Sequence, residues 1–466
     1  MYEDDLNSKG ESKKNHLVNK FNEMLSSSHS TYFDSYEIEL IIDYYTENTN
    51  KEKLKEAFRL YEELYPFSTH LKIKKAQTLL YFDKAKEALR VIQEVPTSKN
   101  EEYLFTLASI YSRLEKPKKA ISIYENLLVL NKNHEDIISC LANEYQKVDD
   151  FSKSASMLER LLEMKNYNEI NWYSYIITCE ISKNTKRALT FIKKHIASNP
   201  YDHEAWFYQG ILYQRMDNHL NAIEAFDYSI CIKEDFIRAY TNKAESLSEL
   251  GYYQKAIDCC KETFNFEKPD AVLYFDIGEL YEKLDNLDKA KSYFYKCIKK
   301  DEFFAEAWYT LALILDLQCL HLEASYHIKK AIDISDSNVD YLFTYAQIHE
   351  KIGFIKEAEI AYRKVLEIDE LDSESWLNYS HLLYKNESTN EAIELLNKAI
   401  KLNPKNAELS YRLSAYLFKD GKEKLALSTF QEALEKDYDL HKDFFQHYPS
   451  IKNNKNLLHL LTEYKK

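Results

Sequence analysis

Apolar and polar residues follow one another along most of this chain with the spacing of an amphipathic helix, and the pattern comes in pairs. Trp206, Gly210 and Tyr213 fall at positions i, i+4 and i+7, which places them on one face of a helix. A few residues later, Ala222 and Phe226 begin the same spacing again. The pattern predicts two amphipathic helices joined by a short turn.

This pair of helices recurs with a fixed period. All four tryptophans are separated by whole multiples of 34 residues: Trp172, Trp206, Trp308 and Trp376. A period of this length is typical of a helix-turn-helix repeat array. It predicts ten units without an insertion between them, beginning at Glu101, Glu135, Glu169, His203, Ile237, Ala271, Ala305, Val339, Ser373 and Ala407.

Residue size follows the same period. The column of Ala222 holds alanine in nine of the ten units and Ser154 in the other. The column of Gly210 is also small, except for Ile176, and a large residue such as Phe226 stands opposite it. Helices that cross closely leave no room for larger side chains at the small positions. The size rule therefore predicts a close helix crossing in each layer.

The succession of Trp, small, Tyr, Ala, Phe and small residues resembles the tetratricopeptide repeat, strongly over 101–440 and weakly over 36–100. The resemblance implies an all-α fold, a right-handed tetratricopeptide-repeat superhelix (α-α solenoid) of the all-repeat bacterial type, with about twelve helix pairs and helical caps. We expect four parts: a polar N-terminal segment and capping helix at 1–34, two irregular repeat-like units at 35–100, ten in-phase units at 101–440 and C-terminal capping helices at 441–466.

Some residues depart from the family pattern. In the ten units a proline ends a repeat only at Pro200 and Pro404, so we expect packing alone to hold the other corners. His195 replaces a small residue, and Ser410 stands in the tryptophan column. Each of these two is expected to loosen its layer slightly.

Composition and charge disfavour several classes of protein. A net charge of -14 and a pI near 5.6 argue against binding to nucleic acid or to anionic membranes. No apolar run approaches the length of about 18 residues that a membrane span needs, and the start of the sequence does not resemble a secretory signal. The seven cysteines form no CxxC pair, which suits reduced thiols. We expect a cytoplasmic protein without a membrane segment.

Aromatic residues mark a candidate binding surface. The resemblance implies that the first helix of each unit lines a concave groove. One place after the tryptophan column, seven of the ten units carry an aromatic residue, and the candidates are Phe207, Phe275, Tyr309 and Phe343. Such rings can hold apolar side chains of a bound segment. The alternative is that the rings pack between adjacent first helices as core.

Acidic residues run beside these rings on the same helix face. They lie three residues before the aromatic place or seven after it, and the candidates are Glu204, Glu306, Asp340, Glu282, Asp316 and Glu350. A groove with this charge favours a basic protein segment or extended peptide as partner. The alternative is a solvated acidic rim that keeps the protein in solution.

Motifs for catalysis or cofactors are not found in the sequence. It has no GxGxxG and no GxxxxGK[ST]. His321 and His327 do not have metalloprotease spacing, and Cys260 falls in the core column of Phe226, which predicts a buried structural thiol. We expect no enzyme, no cofactor and no catalytic or metal site.

The sequence therefore predicts a non-enzymatic scaffold or adaptor that binds a protein or extended peptide in its groove. The first alternative is a substrate-recruiting or regulatory subunit of an enzyme that acts in trans. Another is a self-associating structural array. The oligomeric state and the identity of the partner stay open.

Overall fold

The computed structural model describes residues 2–26, 31–96, 100–164, 169–452 and 454–464, with side chains from residue 14 onward. Over these residues all regular elements are helices. The chain divides into two compact units, Met1–Ala239 and Tyr240–Lys466. The four-part division expected from the sequence stays a prediction.

Helices follow one another along the chain with short connections. The first unit contains α1 (Tyr2–Ser26), α2 (Ser35–Glu47), α3 (Lys51–Leu64), α4 (Thr69–Tyr81), α5 (Ala85–Gln93), α6 (Glu101–Arg113), α7 (Pro117–Leu130), α8 (Glu135–Lys147), α9 (Phe151–Glu163), α10 (Glu169–Ile181), α11 (Thr185–Ser198), α12 (His203–Arg215), α13 (His219–Ile232) and the start of α14 (Ile237–Glu249). The second unit continues α14 and contains α15 (Tyr253–Glu262), α16 (Ala271–Lys283), α17 (Leu287–Lys300), α18 (Ala305–Leu317), α19 (His321–Ile334), α20 (Val339–Ile352), α21 (Ile355–Ile368), α22 (Ser373–Lys385), α23 (Thr389–Leu402), α24 (Ala407–Lys419), α25 (Glu423–Lys436), α26 (His441–His447) and α27 (Lys455–Tyr464). Two 3-10 turns lie at Thr263–Asn265 and Pro449–Ile451.

The helices keep the period of the sequence. From α6 to α24, the first helix of each pair begins at the residue from which the sequence counts that unit. The second helices, from Pro117 in α7 to Glu423 in α25, also begin at regular intervals. Because each helix has the same length in nearly every pair, equivalent side chains return to equivalent places.

The turn between the two helices of each pair contains a residue with left-handed backbone conformation. Positive φ angles occur in the ten corners at Glu115, Asp149, Lys183, Asp217, Gly251, Asp285, Cys319, Gly353, Glu387 and Gly421. This conformation favours glycine and strains other residues by roughly 1 kcal/mol. Most corners accept that strain, so the turn geometry is fixed by the packing of its two helices more than by its own sequence.

Hydrogen bonds hold the corners between pairs. Asp202 accepts from the backbone N–H groups of Glu204 and Ala205 at 3.1 and 3.2 Å, which caps α12. The indole Nε1 of Trp206 donates to the carbonyl of Pro200 at 2.9 Å. Trp308 and Trp376 make the same bond at their own corners, also at 2.9 Å. The expectation that packing alone holds the corners without a proline is therefore wrong at the corners of Trp308 and Trp376.

The two residues that depart from the family pattern, His195 and Ser410, also form side-chain interactions. His195 is buried, and its Nε2 lies 2.9 Å from the carboxylate of Asp202. Ser410 is fully buried and accepts a hydrogen bond from Lys436 Nζ at 2.8 Å. The expectation that His195 and Ser410 loosen their layers did not include these bonds. They link the second helix of a pair to the next corner or to its own first helix.

Small residues allow the helices of a pair to touch. A Cβ atom built on Gly210 would lie 2.5 Å from Cε1 of Phe226, and one built on Gly278 would lie 2.5 Å from Cε1 of Phe294. Both rings are fully buried, as is Ala290 in the alanine column. The close crossing predicted from residue size is present in these layers.

Helices at both ends cover the apolar faces of their neighbours. In α1, Phe21 is fully buried and packs against Phe33 and Tyr45, with ring centroids 6.2 and 5.9 Å apart. In α27, Leu457 is fully buried in the last core cluster. Repeat arrays need such caps because a terminal unit has a neighbour on one side alone.

Candidate functional site: the first-helix face

Consecutive first helices lie side by side within each compact unit and form what we call the first-helix face. Gln77 Nε2 in α4 donates to Thr106 Oγ1 in α6 at 3.2 Å. Gln146 Nε2 in α8 donates to Thr178 Oγ1 in α10 at 2.7 Å. These bonds join residues of neighbouring pairs directly, so the first helices of the first unit that they connect form a shared surface.

A ladder of cations crosses this face. A lysine or arginine in the last turn of one first helix contacts an acceptor that lies 35 residues earlier, in the last turn of the preceding first helix. Its members are Lys147 with Ser112 at 2.9 Å, Arg215 with Glu180, Lys283 with Ser248 at 3.1 Å, Lys351 with Asp316 at 2.5 Å and Lys385 with Glu350 at 3.6 Å. The ladder neutralises part of the acidic column.

Asp316 and Glu350, two of the predicted acidic residues, belong to this ladder. Asp316 contacts both Lys351 and the ring Nδ1 of His321, at 2.5 and 2.8 Å. Glu350 is paired with Lys385. The sequence carries a signal for these ion pairs, because in most units a cation stands one place after the acidic column. The acidic column considered alone does not reveal it.

The other predicted acids of the second unit keep their charge available. Within the part of the chain that the structure describes, Glu282, Glu306 and Asp340 are in no ion pair. At the ladder position after Glu282 stands Leu317, which is 74% exposed. Burial raises the pKa of Glu282, which lacks a cation to offset it.

Three of the predicted aromatic residues pack against other rings. Phe275 lies between Phe294 and Phe304, with centroid distances of 5.4 and 5.0 Å. Tyr309 packs on Tyr341 at 4.8 Å, and Phe343 packs on Tyr362 at 5.9 Å. Each of the three is half-buried. They join neighbouring layers while one edge stays at the surface.

Glu204 and Phe207 lie together in the first unit. Phe207 is only 1% exposed and packs on Phe226 and Phe236, at 5.8 and 5.2 Å. The alternative interpretation of the aromatic column, core packing, describes this ring. Glu204 is half-buried beside it. Burial, followed by the charges of neighbouring acids, raises the pKa of Glu204 to about 7.

An acidic cavity opens on the face between α14 and α16. Its volume is about 330 Å³, and its lining includes Glu245, Glu249, Asp276, Glu279 and Lys283. Burial first, and then nearby acids, raise the pKa of Asp276 to about 6. Ligand pockets usually have volumes of about 300–1,000 Å³, and this cavity lies at the lower end of that range. It has room for one side chain.

The sequence interpretation missed this cavity because it followed single columns. Glu245, Asp276 and Glu279 belong to two different columns and meet only when the first helices lie side by side. Cys260 lies in the cavity wall and is 2% exposed. Burial raises the pKa of the Cys260 thiol to about 12, as suits a structural thiol.

Among the residues that the structure describes, no group of three or more His, Cys, Asp or Glu side chains has a geometry that could hold a metal ion. Within those same ranges, no helix is both long enough and apolar enough to cross a bilayer.

Family models match most of the repeat region. The model "Psidin, N-terminal TPR repeats region" matches residues 38–264. Two tetratricopeptide-repeat models match residues 271–302 with 339–370, and 380–439. The chain is a tetratricopeptide-repeat protein. The resemblance drawn from the tryptophan and alanine columns is confirmed, and so is the all-α repeat fold.

Relatives of this tetratricopeptide-repeat protein are diverse. The TPR repeat-containing protein MJ1428 of Methanocaldococcus jannaschii is 22% identical over 85% of this chain. The human protein O-mannosyl-transferase TMTC3 is 22% identical over 61% of it, and anaphase-promoting complex subunit 3 of Schizosaccharomyces pombe is 19% identical over 69%. The chain spans 61%, 33% and 43% of the lengths of these three relatives.

Solved structures with the same kind of repeat are also similar. The C-terminal part of a TPR repeat-containing protein from Cytophaga hutchinsonii has a TM-score of 0.46 and 16% identity, covering 55% of this tetratricopeptide-repeat protein and 99% of that chain. The Cut9–Hcn1 assembly of the anaphase-promoting complex has a TM-score of 0.37 and 14% identity, covering 82% and 89%.

Proposed function

We propose that this protein is a non-enzymatic scaffold that binds an extended basic segment of another protein along the first-helix face of its second unit. The repeat fold is compatible with protein–protein interaction. The proposal keeps the cytoplasmic location expected from the sequence.

The acidic cavity between α14 and α16 carries the proposal. Asp276 is half-buried and, among the described residues, has no ion pair. Glu279 lies beside it, and Lys283, whose charge partly offsets that of Glu279, donates to Ser248 at 3.1 Å. A lysine or arginine side chain of a partner would supply the missing charge and relieve the repulsion between the two carboxylates.

Charge continues beyond the cavity in one direction. Glu282 lies in the last turn of the same helix α16, next to the ladder position of the exposed Leu317, and Glu306 and Asp340 lie in the first turns of α18 and α20. An extended segment with alternating basic and apolar residues would complement this succession. Long-range attraction would also speed its first encounter with the face.

The test uses a short fluorescein-labelled peptide of alternating Arg and Ala, and its counterpart with Glu in place of Arg. Fluorescence anisotropy of the full chain is expected to show binding of the Arg peptide alone, weakening as salt rises because the charges are exposed. The double variant Asp276→Asn/Glu279→Gln is expected to bind about tenfold more weakly, or about 1.4 kcal/mol.

The matched control changes the same net charge elsewhere. Glu391 and Glu394 are exposed on the second helix α23, so Glu391→Gln/Glu394→Gln should bind the Arg peptide like wild type. Equal losses in both double variants would mean that net charge alone attracts the peptide. Equal binding of the Arg and Glu peptides would also refute the proposal.

A second candidate function is recruitment for an enzyme that acts in trans. It is favoured by the names of two relatives, a protein O-mannosyl-transferase and a subunit of the anaphase-promoting complex. If it holds, the immobilised chain should deplete one transferase or ligase activity from a lysate of its own cells. The variant Asp276→Asn/Glu279→Gln should then fail to do so, and depletion of no such activity by wild type would exclude this candidate.

A further inference from the structure

An arginine of the chain itself lies on the first-helix face of the first unit. Arg238 is the second residue of α14, and its guanidinium carbon lies 4.6 Å from the centroid of the Phe207 ring. The rings of Tyr208 and Phe236 surround it, each 6.0 Å away. Its guanidinium also forms an ion pair with Glu169. The guanidinium thus has rings around it and a carboxylate at its end.

This contact spans two repeats. Glu169 begins α10 and is 69 residues from Arg238, so the pair reaches past α12, which lies between them in sequence. The side chain of Arg238 lies over the N-terminal half of α12, where the predicted groove residues Glu204 and Phe207 are found. A bound segment that followed the face would meet Arg238 at this place.

The interactions that hold Arg238 in this contact are weak. The side chains of Arg238 and Glu169 are 40% and 60% exposed, and ion pairs with this exposure contribute little to stability. Stacking of a cation on a ring is weak where the cation stays exposed to solvent, as the Arg238 side chain does. By contrast, Phe207 and Tyr208 are 1% and 2% exposed, so the floor of the site is fixed by the core.

The floor also holds an acceptor that lacks a hydrogen bond. Oε2 of Glu204 is buried and has no hydrogen-bond partner among the residues that the structure describes. The charges of Asp202 and Glu169 add to the effect of burial on the pKa of Glu204, whereas the charge of Arg238 opposes it. The site therefore favours a cation that can approach Glu204 more closely than Arg238 does.

We propose that Phe207, Tyr208, Glu169 and Glu204 form a guanidinium site that Arg238 occupies in cis, and that an arginine of a bound partner takes its place. The second half of this statement rests on one part of the proposed function, that the chain is a scaffold that binds another protein, and the first half does not. A planar guanidinium can stack on a ring and donate in its plane to a carboxylate at the same time, which an ammonium cannot. The site is therefore specific for arginine over lysine, and Arg238 limits access to it.

The test uses the full chain and two small probes, Nα-acetyl-arginine methylamide and Nα-acetyl-lysine methylamide. Binding is followed by saturation-transfer NMR of the probe. The variant Arg238→Ala empties the site and is expected to bind the arginine probe about tenfold more tightly than wild type, as it should if Arg238 occupies the site in about nine-tenths of wild-type molecules. The lysine probe should gain much less.

Arg215→Ala is the matched control. Arg215 is also on the first-helix face and is paired with Glu180 in the ladder, so its loss changes the net charge equally. This variant is expected to bind the arginine probe like wild type. Arg238→Lys keeps the charge but has a slightly shorter side chain and loses the planar stacking, so it should give an intermediate gain even if Arg238→Ala folds poorly.

Three results would overturn the inference: no gain in Arg238→Ala, an equal gain in Arg215→Ala, or an equal gain for both probes. The proposed function fails separately. If the Arg–Ala peptide does not bind wild type but Arg238→Ala binds the arginine probe, the guanidinium site stands alone. If the peptide binds at the cavity of the second unit and Arg238→Ala shows no gain, only this inference falls.

Discussion

Gly278 in α16 lies against the ring of Phe294 in α17, and replacing it by alanine tests how closely the two helices of a pair pack. The new Cβ atom would lie 2.5 Å from Cε1 and 2.8 Å from Cδ1 of Phe294. Ordinary contacts between carbon atoms are about 3.5–4.0 Å. Phe294 is fully buried and packs on Phe275 at 5.4 Å, so it can move only if its neighbours move.

The expected magnitude is a balance of two effects. The ring or the helix must shift by about 1 Å, and overpacking of this kind costs about 1–3 kcal/mol. Alanine in place of glycine in a helix interior stabilises by about 0.5–1 kcal/mol. The net loss for Gly278→Ala should therefore be about 1 kcal/mol, with clash winning over helix propensity.

A double-mutant cycle with Phe294→Leu separates the two effects. Leucine lacks the ring edge that meets the new Cβ atom, so Gly278→Ala should change sign and stabilise that background by about 0.5–1 kcal/mol. Hydrogen exchange of the α16 and α17 amides measures the change locally, because a repeat array need not unfold in one step. The reasoning would be refuted if the alanine stabilised wild type, or had the same effect in both backgrounds.

Three further predictions concern other parts of the array. Because the pKa of Glu204 is raised from 4.5 to about 7, its ionisation destabilises the fold as pH rises through that range. Glu204→Gln should therefore unfold at higher urea than wild type at pH 8 and equally near pH 4, and an unchanged difference between these pH values would contradict the shift. Ala290→Leu adds three carbons at a fully buried crossing and should destabilise α16 and α17 by about 1–3 kcal/mol in urea unfolding; a neutral result would mean that the crossing is misplaced. Changing Phe275, Tyr309 and Phe343 together to Ala should lower both the melting temperature and the affinity for the Arg–Ala peptide, since each ring packs on another ring while one edge remains at the surface. Loss of peptide binding at an unchanged melting temperature would show rings that serve binding alone.

Much of the fold could be predicted because the two helices of each unit pack against each other in the same way. A small residue such as Gly210 must face a large one such as Phe226, and this size rule survives changes at every exposed position. The period of the tryptophans fixes where α12 and its equivalents begin. Nothing in those columns required knowledge of contacts between distant parts of the chain.

The candidate site was harder to predict because it depends on which columns meet. Asp316 looked like free negative charge in a single column, but Lys351 neutralises it and His321 Nδ1 contacts it. The pair of Arg238 with Glu169 could not be predicted from a single repeat, because the Arg238 side chain reaches a residue two repeats earlier in the chain. His195 looked like a packing fault, whereas its bond to Asp202 is visible only after the corner has folded.

The cation ladder has a consequence for how such a chain can change length. Each rung joins the end of one first helix to the end of the next, as in Lys147 with Ser112 and Lys351 with Asp316. An added copy of a unit that carries both a rung acceptor and a rung cation would find partners on either side at once. Duplication or loss of whole units could therefore proceed in the gene without stranding a charge, except next to Ile181, Glu249 and Leu317, where a residue other than a cation stands at the rung position.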